Sequence, residues 1–521
     1  MINLRRSEIF IKNTLILSIT ALFMRVMGVY FNVYLSDKLG AEGLGLFTLT
    51  LSIYGLATTF ATSAINLTAT RMVADALGSA KLCDIGHAMK KCTAYALFFG
   101  FGSAAVLMAL SYPISRYMLG DMRTLGSVRL LALTLPLVAL SSELSGYFTA
   151  VRRVSKNAWS QILQQIVKVL LSVIGLSLTS PKTVEDACIR VVAVFLISEI
   201  ATFLWLFVFY VIDISKNYRV HKGKESEDLR KKMLSIALPT AFTSYFRSAL
   251  VTVEHLLITK GLRKNGLSQS AAVSAYGVMQ AKALPTILFP YAFLTPFCSL
   301  IVPEVAEKRA AGDTVGINRI SETVCRFVLA FGIGAAGIVA CYCGEIGNII
   351  YSDPDAGIYI GMLAPVMPIM FIDTAVDSIL KGMNEQLYTM KVNLFDSLMS
   401  VGVVFLLVPK IGMLGYVIEI IFCEIVNTAL SVSRLMKLTS PRIRIVKWIA
   451  LPIAAVSASV AASRVLLSAL GFGRALSALS LSVHMALIVF VYSILLRLFG
   501  CYTFREIADF FGKRKDIQKK T

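Results

Sequence analysis

The chain has 521 residues, of which 56% are hydrophobic and only 16% are charged, and its mean hydropathy is +0.73. Soluble domains carry about 25% charged residues, so this composition excludes an ordinary soluble protein. The net charge of +20 lies mainly in short segments between long apolar ones, which indicates the positive-inside rule and contacts with anionic membrane lipids rather than binding of nucleic acid.

Apolar runs of about 20 residues predict an all-α integral membrane protein with fourteen transmembrane helices. In chain order these helices cover residues 10–35, 44–69, 92–112, 128–150, 158–178, 189–212, 233–259, 273–303, 322–343, 358–381, 391–409, 412–434, 446–470 and 476–499. The first run lacks a signal-peptide cleavage pattern and is expected to remain as a span. With the N-terminus inside, about 34 Lys and Arg residues fall inside and about 12 outside, which predicts cytoplasmic termini in a bacterial cytoplasmic membrane.

An internal repeat divides this helical pattern. The segment FFGFGSAAV at 98–106 resembles AFGIGAAGI at 330–338, and the same offset of 232 residues places Pro136 on Pro368. Two helices in one register predict two parallel six-helix repeats plus two appended C-terminal helices, an architecture typical of transporters. The predicted divisions are a lobe at 1–212, a cytoplasmic linker at 213–232, a lobe at 233–436, helices 13 and 14 at 437–500, and a basic cytoplasmic tail at 501–521.

Basic side chains inside or at the ends of spans are candidate substrate-binding residues, because a charge at the bilayer centre costs roughly 3 kcal/mol or more. They are Arg25 in helix 1, Arg71 at the inner end of helix 2, Arg247 in helix 7 and Lys282 in helix 8. For Arg25 two interpretations remain open, an ion pair with a neighbouring carboxylate or contact with an anionic substrate group in a hydrated cavity. The planar guanidinium suits phosphate because it donates two parallel hydrogen bonds.

Oxygen-bearing side chains in helices 7 and 11 predict a coupling-cation site. Glu254, Asn393 and Asp396 carry ligands that suit a hard cation, although Glu254 also lies where it would neutralise Arg247, seven residues earlier on the same helix. We expect transport to be coupled to Na⁺, to H⁺ or to the membrane potential, with no other cofactor.

An enzyme reading depends on one loop. Asp353 and Asp355 in YSDPDAG form a DxD pattern that suits a metal-dependent membrane glycosyltransferase, but the same composition is typical of a plain turn. The four histidines have no metal-ligand spacing. We therefore predict that the chain is not an enzyme.

Several stretches resemble one family. The run RVMGVYFNVYLSDKLGAEGLGLFTLTLSIYGL at 25–56 contains Arg25 with Gly28 and the loop LGAEGLG, and it is followed by RMVAD at 71–75. Together with PTILFPYAFLTPFCSLIVPEVAE at 285–307, it resembles the stage V sporulation protein B family of the multidrug/oligosaccharidyl-lipid/polysaccharide (MOP) exporter superfamily, and it is similar to the MurJ lipid II flippases.

This resemblance implies a flippase that moves an undecaprenyl-diphosphate-linked saccharide to the outer leaflet for peptidoglycan or polysaccharide synthesis. It implies that Arg25 matches the first helix-1 arginine of MurJ-like proteins, whereas Phe31 stands where many of them have a second. We expect a monomer whose partners are the polyprenyl-diphosphate-linked saccharide, membrane lipids and cell-wall synthases. The alternatives are a multidrug or cation antiporter of the same superfamily and a membrane glycosyltransferase.

Overall fold

The computed structural model describes residues 2–78, 82–177, 183–217, 229–439, 444–469 and 477–500. Across these ranges the regular structure is helical and contains no strand. The helices of the first half are α1 (Ile2–Thr62), α2 (Ile65–Gly78), α3 (Leu82–Ala109), α4 (Leu125–Ala150), α5 (Val154–Ser177), α6 (Val184–Asn217), α7 (Leu229–Lys264) and α8 (Gln269–Gly277). Those of the second half are α9 (Tyr291–Ala310), α10 (Thr314–Cys341), α11 (Pro354–Leu363), α12 (Met367–Gly382), α13 (Gln386–Ile411), α14 (Met413–Leu438), α15 (Leu451–Ala469) and α16 (Ala478–Leu498).

Eleven helical segments of the described chain are long and apolar enough to cross a membrane, or twelve if the bent pair Gln269–Ile287 and Tyr291–Ala310 is one span. The protein is therefore a multi-pass helical membrane protein. The first of the eleven, Ile19–Leu77, has 59 residues, and α1 within it is interrupted at Gly40, whose φ of 69° is left-handed. Helix α7 is not among the eleven.

The chain forms two compact units, one of residues 1–281 with 401–412 and one of residues 282–400 with 413–521. The first unit thus includes α7 and α8 as well as the first six predicted spans. The predicted linker at 213–232 lies largely outside the described residues, and so does the tail at 501–521. The boundaries of the predicted lobes stay a prediction.

In the first unit, α1 and α8 touch backbone to backbone. A Cβ added at Gly45 would overlap the carbonyl oxygen of Val273, and one added at Gly277 would lie 2.7 Å from the carbonyl oxygen of Ala41. Residues 273 and 277 are 232 positions beyond residues 41 and 45. The contact is therefore reciprocal, as it is across a two-fold axis, and small residues permit this close helix approach in a membrane.

The offset of 232 residues recurs in a second kind of packing. In the first unit a Cβ added at Gly100 of α3 would lie 3.0 Å from Pro136 Cα of α4. In the second unit a Cβ added at Gly332 of α10 would lie 2.9 Å from Pro368 Cα of α12. The same glycine therefore receives the same proline in each unit, at the positions that the sequence alignment pairs.

Candidate functional site

A hydroxyl-rich pocket of about 440 Å³ lies in the first unit between the second half of α1 and α7. Its volume is in the range of small-molecule sites. It is lined by Thr58, Thr59, Thr62, Ala64, Ser244, Arg247, Ser248 and Val251. Five of these eight residues carry a hydroxyl and one carries a guanidinium, while no carboxylate lines the pocket.

The hydroxyl groups are placed by helical hydrogen bonding. Thr59 Oγ1 donates to the carbonyl of Gly55 at 2.9 Å, and it also lies 3.1 Å from Ser248 Oγ across the two helices. Ser244 Oγ donates to the carbonyl of Thr240 at 3.0 Å. Such bonds satisfy the donor of each side chain inside an apolar helix, and they leave the lone pairs of the hydroxyl oxygens facing the pocket side of the helices.

A backbone break closes one end of the pocket. Ser63 and Ala64, between α1 and α2, have left-handed φ values of 43° and 59°, an uncommon conformation for residues with a Cβ. Ser63 Oγ shares a hydrogen bond of 2.8 Å with the Tyr95 hydroxyl and a further one with the Tyr245 hydroxyl. The Tyr245 ring stacks on Phe60 with centroids 4.3 Å apart.

Of the four predicted substrate-binding cations, Arg247 lines this pocket. A guanidinium beside hydroxyl groups can bind phosphate oxygens through paired hydrogen bonds and the hydroxyls of a sugar through single ones. Arg25 lies half-buried on the first half of α1, and Arg71 is exposed on α2. Neither is among the residues that line the pocket, and their binding role stays a prediction.

Lys282 has a different environment. It lies in the π-helical turn Val278–Ala283, is 3% exposed, and its Nζ donates to Asp353 Oδ2 at 2.7 Å. Asp353 also accepts the backbone N–H of Asp355 at 3.0 Å and so caps the start of α11. Both oxygens of Asp353 thus have structural partners, which agrees with the turn interpretation of YSDPDAG rather than with a metal-binding DxD motif.

The predicted coupling-cation residues are distributed over both units. Glu254 lies on α7 in the first unit, and Asn393 and Asp396 lie on α13 in the second. Asn393 donates its side-chain amide to the Thr389 carbonyl at 2.8 Å. Within the described ranges, no three His, Cys, Asp or Glu side chains are grouped to hold a metal ion. The cation site stays a prediction.

Other polar residues around these helices were not selected from the sequence as site residues. Lys168 of α5 places its Nζ 4.8 Å from the Phe195 ring centre and 5.7 Å from that of Phe31, where an ammonium is attracted by the ring face. Its mid-span position marked it as ionisable, but sequence spacing did not reveal the two aromatic partners. Ser63, Tyr95 and Tyr245 gave no signal, because the break between α1 and α2 contains neither Gly nor Pro.

Three comparisons place the chain among known proteins. The family model described as "Polysaccharide biosynthesis protein" matches residues 10–292. The chain is similar to the stage V sporulation protein B of Bacillus subtilis (strain 168), at 24% identity over 85% of this chain and 86% of that protein. It is also similar to sporulation protein YkvU of the same organism, at 22% identity over 82% of this chain and 95% of that protein.

Two solved structures show the fold. The lipid II flippase MurJ, in an inward closed conformation, superimposes with a TM-score of 0.69 at 12% identity, covering 92% of this chain and 98% of the other. An inward-facing multidrug resistance MATE family transporter of the MOP superfamily gives a TM-score of 0.64 at 11% identity, covering 81% and 98%. The resemblance predicted from LGAEGLG and its neighbours is confirmed.

Proposed function

This chain belongs to the polysaccharide biosynthesis protein family, and from that premise we propose that it is a flippase for an undecaprenyl-diphosphate-linked saccharide. Lipid II or a related cell-wall precursor is carried from the inner to the outer leaflet of the bacterial cytoplasmic membrane. The observation that carries the proposal is the pocket in which Arg247 lies among five hydroxyl side chains. A polar, cationic pocket between two helices of a membrane protein suits an anionic, hydroxyl-rich head group.

The chemistry of each end of the substrate fits a different part of this site. The Arg247 guanidinium binds the diphosphate, whose charge repels carboxylates, and the pocket contains none. Ser and Thr hydroxyls both donate and accept hydrogen bonds, so those of Thr58, Thr62 and Ser244 bind sugar hydroxyls. The polyprenyl chain stays in the hydrocarbon of the bilayer, where it costs no desolvation.

We further propose fourteen spans in two parallel repeats with both termini cytoplasmic. Dividing Ile19–Leu77 at Gly40 adds one span to the eleven apolar segments, the bent pair adds another, and α7, with 36 residues, adds the last. Arg247 and Glu254 lower the apolar character of α7, which is why composition alone does not select it. The reciprocal contact of Gly45 with Gly277 and the two glycine–proline contacts support the repeat.

The remaining parts of the proposal concern energy and partners. The chain acts as a monomer that supplies cell-wall synthases on the outer face, and no chemical step is assigned to it. Transport is driven by a coupling cation or by the membrane potential, which is worth about 2.3 kcal/mol per charge at 100 mV.

The test is a leaflet-accessibility assay for lipid II in cells that depend on this protein alone. The wild-type protein is expected to supply precursor to an externally added lipid II-cleaving enzyme. Replacing Arg247 by Gln should lower that supply by about 100-fold, because removing one charged partner of a buried phosphate costs roughly 3 kcal/mol. The matched control is Lys260→Gln, which removes a cation from an exposed position of the same helix.

Two results would contradict the proposal. If the wild-type chain does not deliver lipid II to the outer leaflet, the peptidoglycan form of the function fails. If the cells instead export fluorescent organic cations and Arg247→Gln increases that export, the chain is a multidrug antiporter, since a guanidinium in the pocket repels cationic drugs.

A further inference from the structure

A buried polar cluster joins three helices of the first unit close to the Arg247 pocket. His255 Nδ1 of α7 lies 2.7 Å from Ser52 Oγ of α1, and Ser52 Oγ lies 3.3 Å from the hydroxyl of Tyr276 on α8. The His255 and Tyr276 rings meet edge to face with centroids 5.9 Å apart. An ionisable side chain at this place in a membrane protein needs a reason, because its charged form is costly in hydrocarbon.

The cluster can satisfy the imidazole in both protonation states. A serine hydroxyl has one hydrogen to donate and two lone pairs to accept with. Ser52 Oγ also lies 3.2 Å from the carbonyl oxygen of Thr48, in position to donate to it. When His255 is neutral, Ser52 can donate to Nδ1. When His255 is charged, Nδ1–H donates to Ser52 Oγ, and the serine hydrogen turns to the Thr48 carbonyl.

The cluster lies on the same helix faces as the pocket. Arg247, Val251 and His255 follow one another at intervals of four residues, so they share one face of α7. Arg247 and Val251 both line the pocket. On α1, Ser52 precedes the pocket residue Thr59 by two turns. The imidazole is therefore about 12 Å from the Arg247 position along the helix axis, at a rise of about 1.5 Å per residue.

The groups that face His255 contribute little compensating charge. From α8 it meets the phenol of Tyr276, and from α1 the hydroxyl of Ser52. On its own helix Glu254 precedes it, and the Glu254 carboxylate acts electrostatically on Tyr276. Thr252, one turn earlier on α7, donates to the Ser52 carbonyl at 3.3 Å and holds the two helices together at this level.

We propose that His255 takes up the coupling proton, and that the Ser52–His255–Tyr276 cluster links this protonation to binding of the diphosphate in the Arg247 pocket. The inference rests on the proposed function and names its coupling ion. A second positive charge about 12 Å from the anion, at an effective dielectric constant of about 20, strengthens anion binding by about tenfold. Linkage is reciprocal, so the bound anion raises the proton affinity of His255 by the same factor.

The experiment uses the purified full-length protein in nanodiscs with farnesyl diphosphate as the probe. Affinity is measured at pH 8 and at pH 5 in the wild-type protein and in His255→Gln, which keeps a hydrogen-bonding side chain but does not titrate. We expect wild-type affinity to gain about tenfold more than the variant over this range, which removes the titration of the probe itself from the comparison. The matched control is His484→Gln, because His484 is also buried and also contacts a tyrosine and a serine.

A second measurement does not depend on how His255→Gln folds. The chain has four histidines, so a variant in which His87, His221 and His484 are replaced by Gln shows a single imidazole signal in NMR spectra. We expect the midpoint of its titration to rise by about one pH unit when farnesyl diphosphate is added, the counterpart of a tenfold gain in affinity.

Three outcomes overturn the inference and leave the proposed function standing. They are an unshifted His255 signal, equal pH dependence in wild type and His255→Gln, and a dependence of affinity on Na⁺ in place of pH. If the wild-type protein binds no farnesyl diphosphate at any pH and also delivers no lipid II in cells, the proposed function itself fails.

Discussion

The helix pair α3–α4 of the first unit and the pair α10–α12 of the second share their packing but not their polar groups. Gly100 receives Pro136 in one, and Gly332 receives Pro368 in the other. In the first pair, Thr93 Oγ1 donates to the buried Glu143 carboxylate at 2.7 Å. At the positions 232 residues later stand Cys325 and Ala375, both buried and neither able to form such a bond.

The reverse substitution occurs two residues away. Ser141 of α4 corresponds to Asp373 of α12, which accepts the side-chain amide of Asn427 at 3.2 Å. The repeated glycines and prolines determine how closely the helices approach, and that geometry is the same in both pairs. The polar residues between them are specific to each unit, so the two pairs are one scaffold with two different chemistries.

The largest expected effect comes from giving the second pair the carboxylate of the first. Ala375→Glu buries a charge at a position that is 0% exposed and that faces no hydroxyl equivalent to Thr93. We expect a loss of folding stability of roughly 3 kcal/mol or more. The measurement is the fraction of monodisperse protein that survives heating in detergent. Wild-type survival would show that the two polar sites are interchangeable.

The crossing of α1 with α8 should be the next most sensitive. Gly45→Val and Gly277→Val each force a side chain against a backbone, and overpacking typically costs about 1–3 kcal/mol or more. Because the contact is reciprocal, the two variants should lower Tm by similar amounts. Gly55→Val, at a glycine of α1 with open space around it, is the control. A large effect at only one of the two positions would contradict the two-fold relation.

Smaller and equal effects are expected at the shared glycine–proline contacts. Gly100→Ala and Gly332→Ala should each cost about 1–2 kcal/mol, because the neighbouring helix must move by a few tenths of an ångström. Gly102→Ala, where no atom lies within 4 Å, should be neutral or stabilising, since alanine favours a helix. Thermal unfolding of the three variants in parallel checks this, and unequal costs at 100 and 332 would break the comparison.

The smallest change is expected from Glu143→Gln. The amide oxygen can still accept the Thr93 hydrogen bond, and no charge has to be buried, so stability should change by less than about 1 kcal/mol. Thermal unfolding measures this as well. A loss as large as that of Ala375→Glu would mean that the Glu143 charge has a partner beyond Thr93.

The sequence predicted the helical membrane fold well, because apolar length is a strong signal and because the repeat left a readable offset. Its register, set by Pro136 and Pro368, also holds for Ala41 with Val273 and for Gly45 with Gly277, which share too little side-chain identity to align by eye. The glycines of LGAEGLG appeared only as a family mark. The structure gives two of them a physical role, the break at Gly40 and the backbone contact at Gly45.

The candidate site was less predictable. Sequence identifies charges within spans, but it does not say which helix faces meet, so Arg247 and Lys282 were equivalent candidates. Only packing shows that one lines a hydroxyl-rich pocket and the other pairs with Asp353. The five hydroxyl residues of the pocket gave no signal, because Ser and Thr are common in membrane helices and satisfy their own backbone wherever they stand.

The left-handed residues Ser63 and Ala64 have a thermodynamic consequence for the pocket. Each strained residue costs of order 1–3 kcal/mol, and it persists only because its surroundings hold it. Here the holding groups are the hydroxyls of Tyr95 and Tyr245, which bind Ser63 from two other helices. The end of the pocket formed by Ala64 therefore stores free energy. A substrate group that competes for the Ser63 hydroxyl would release that energy, and the first half of the membrane crossing would be driven partly by the helix itself.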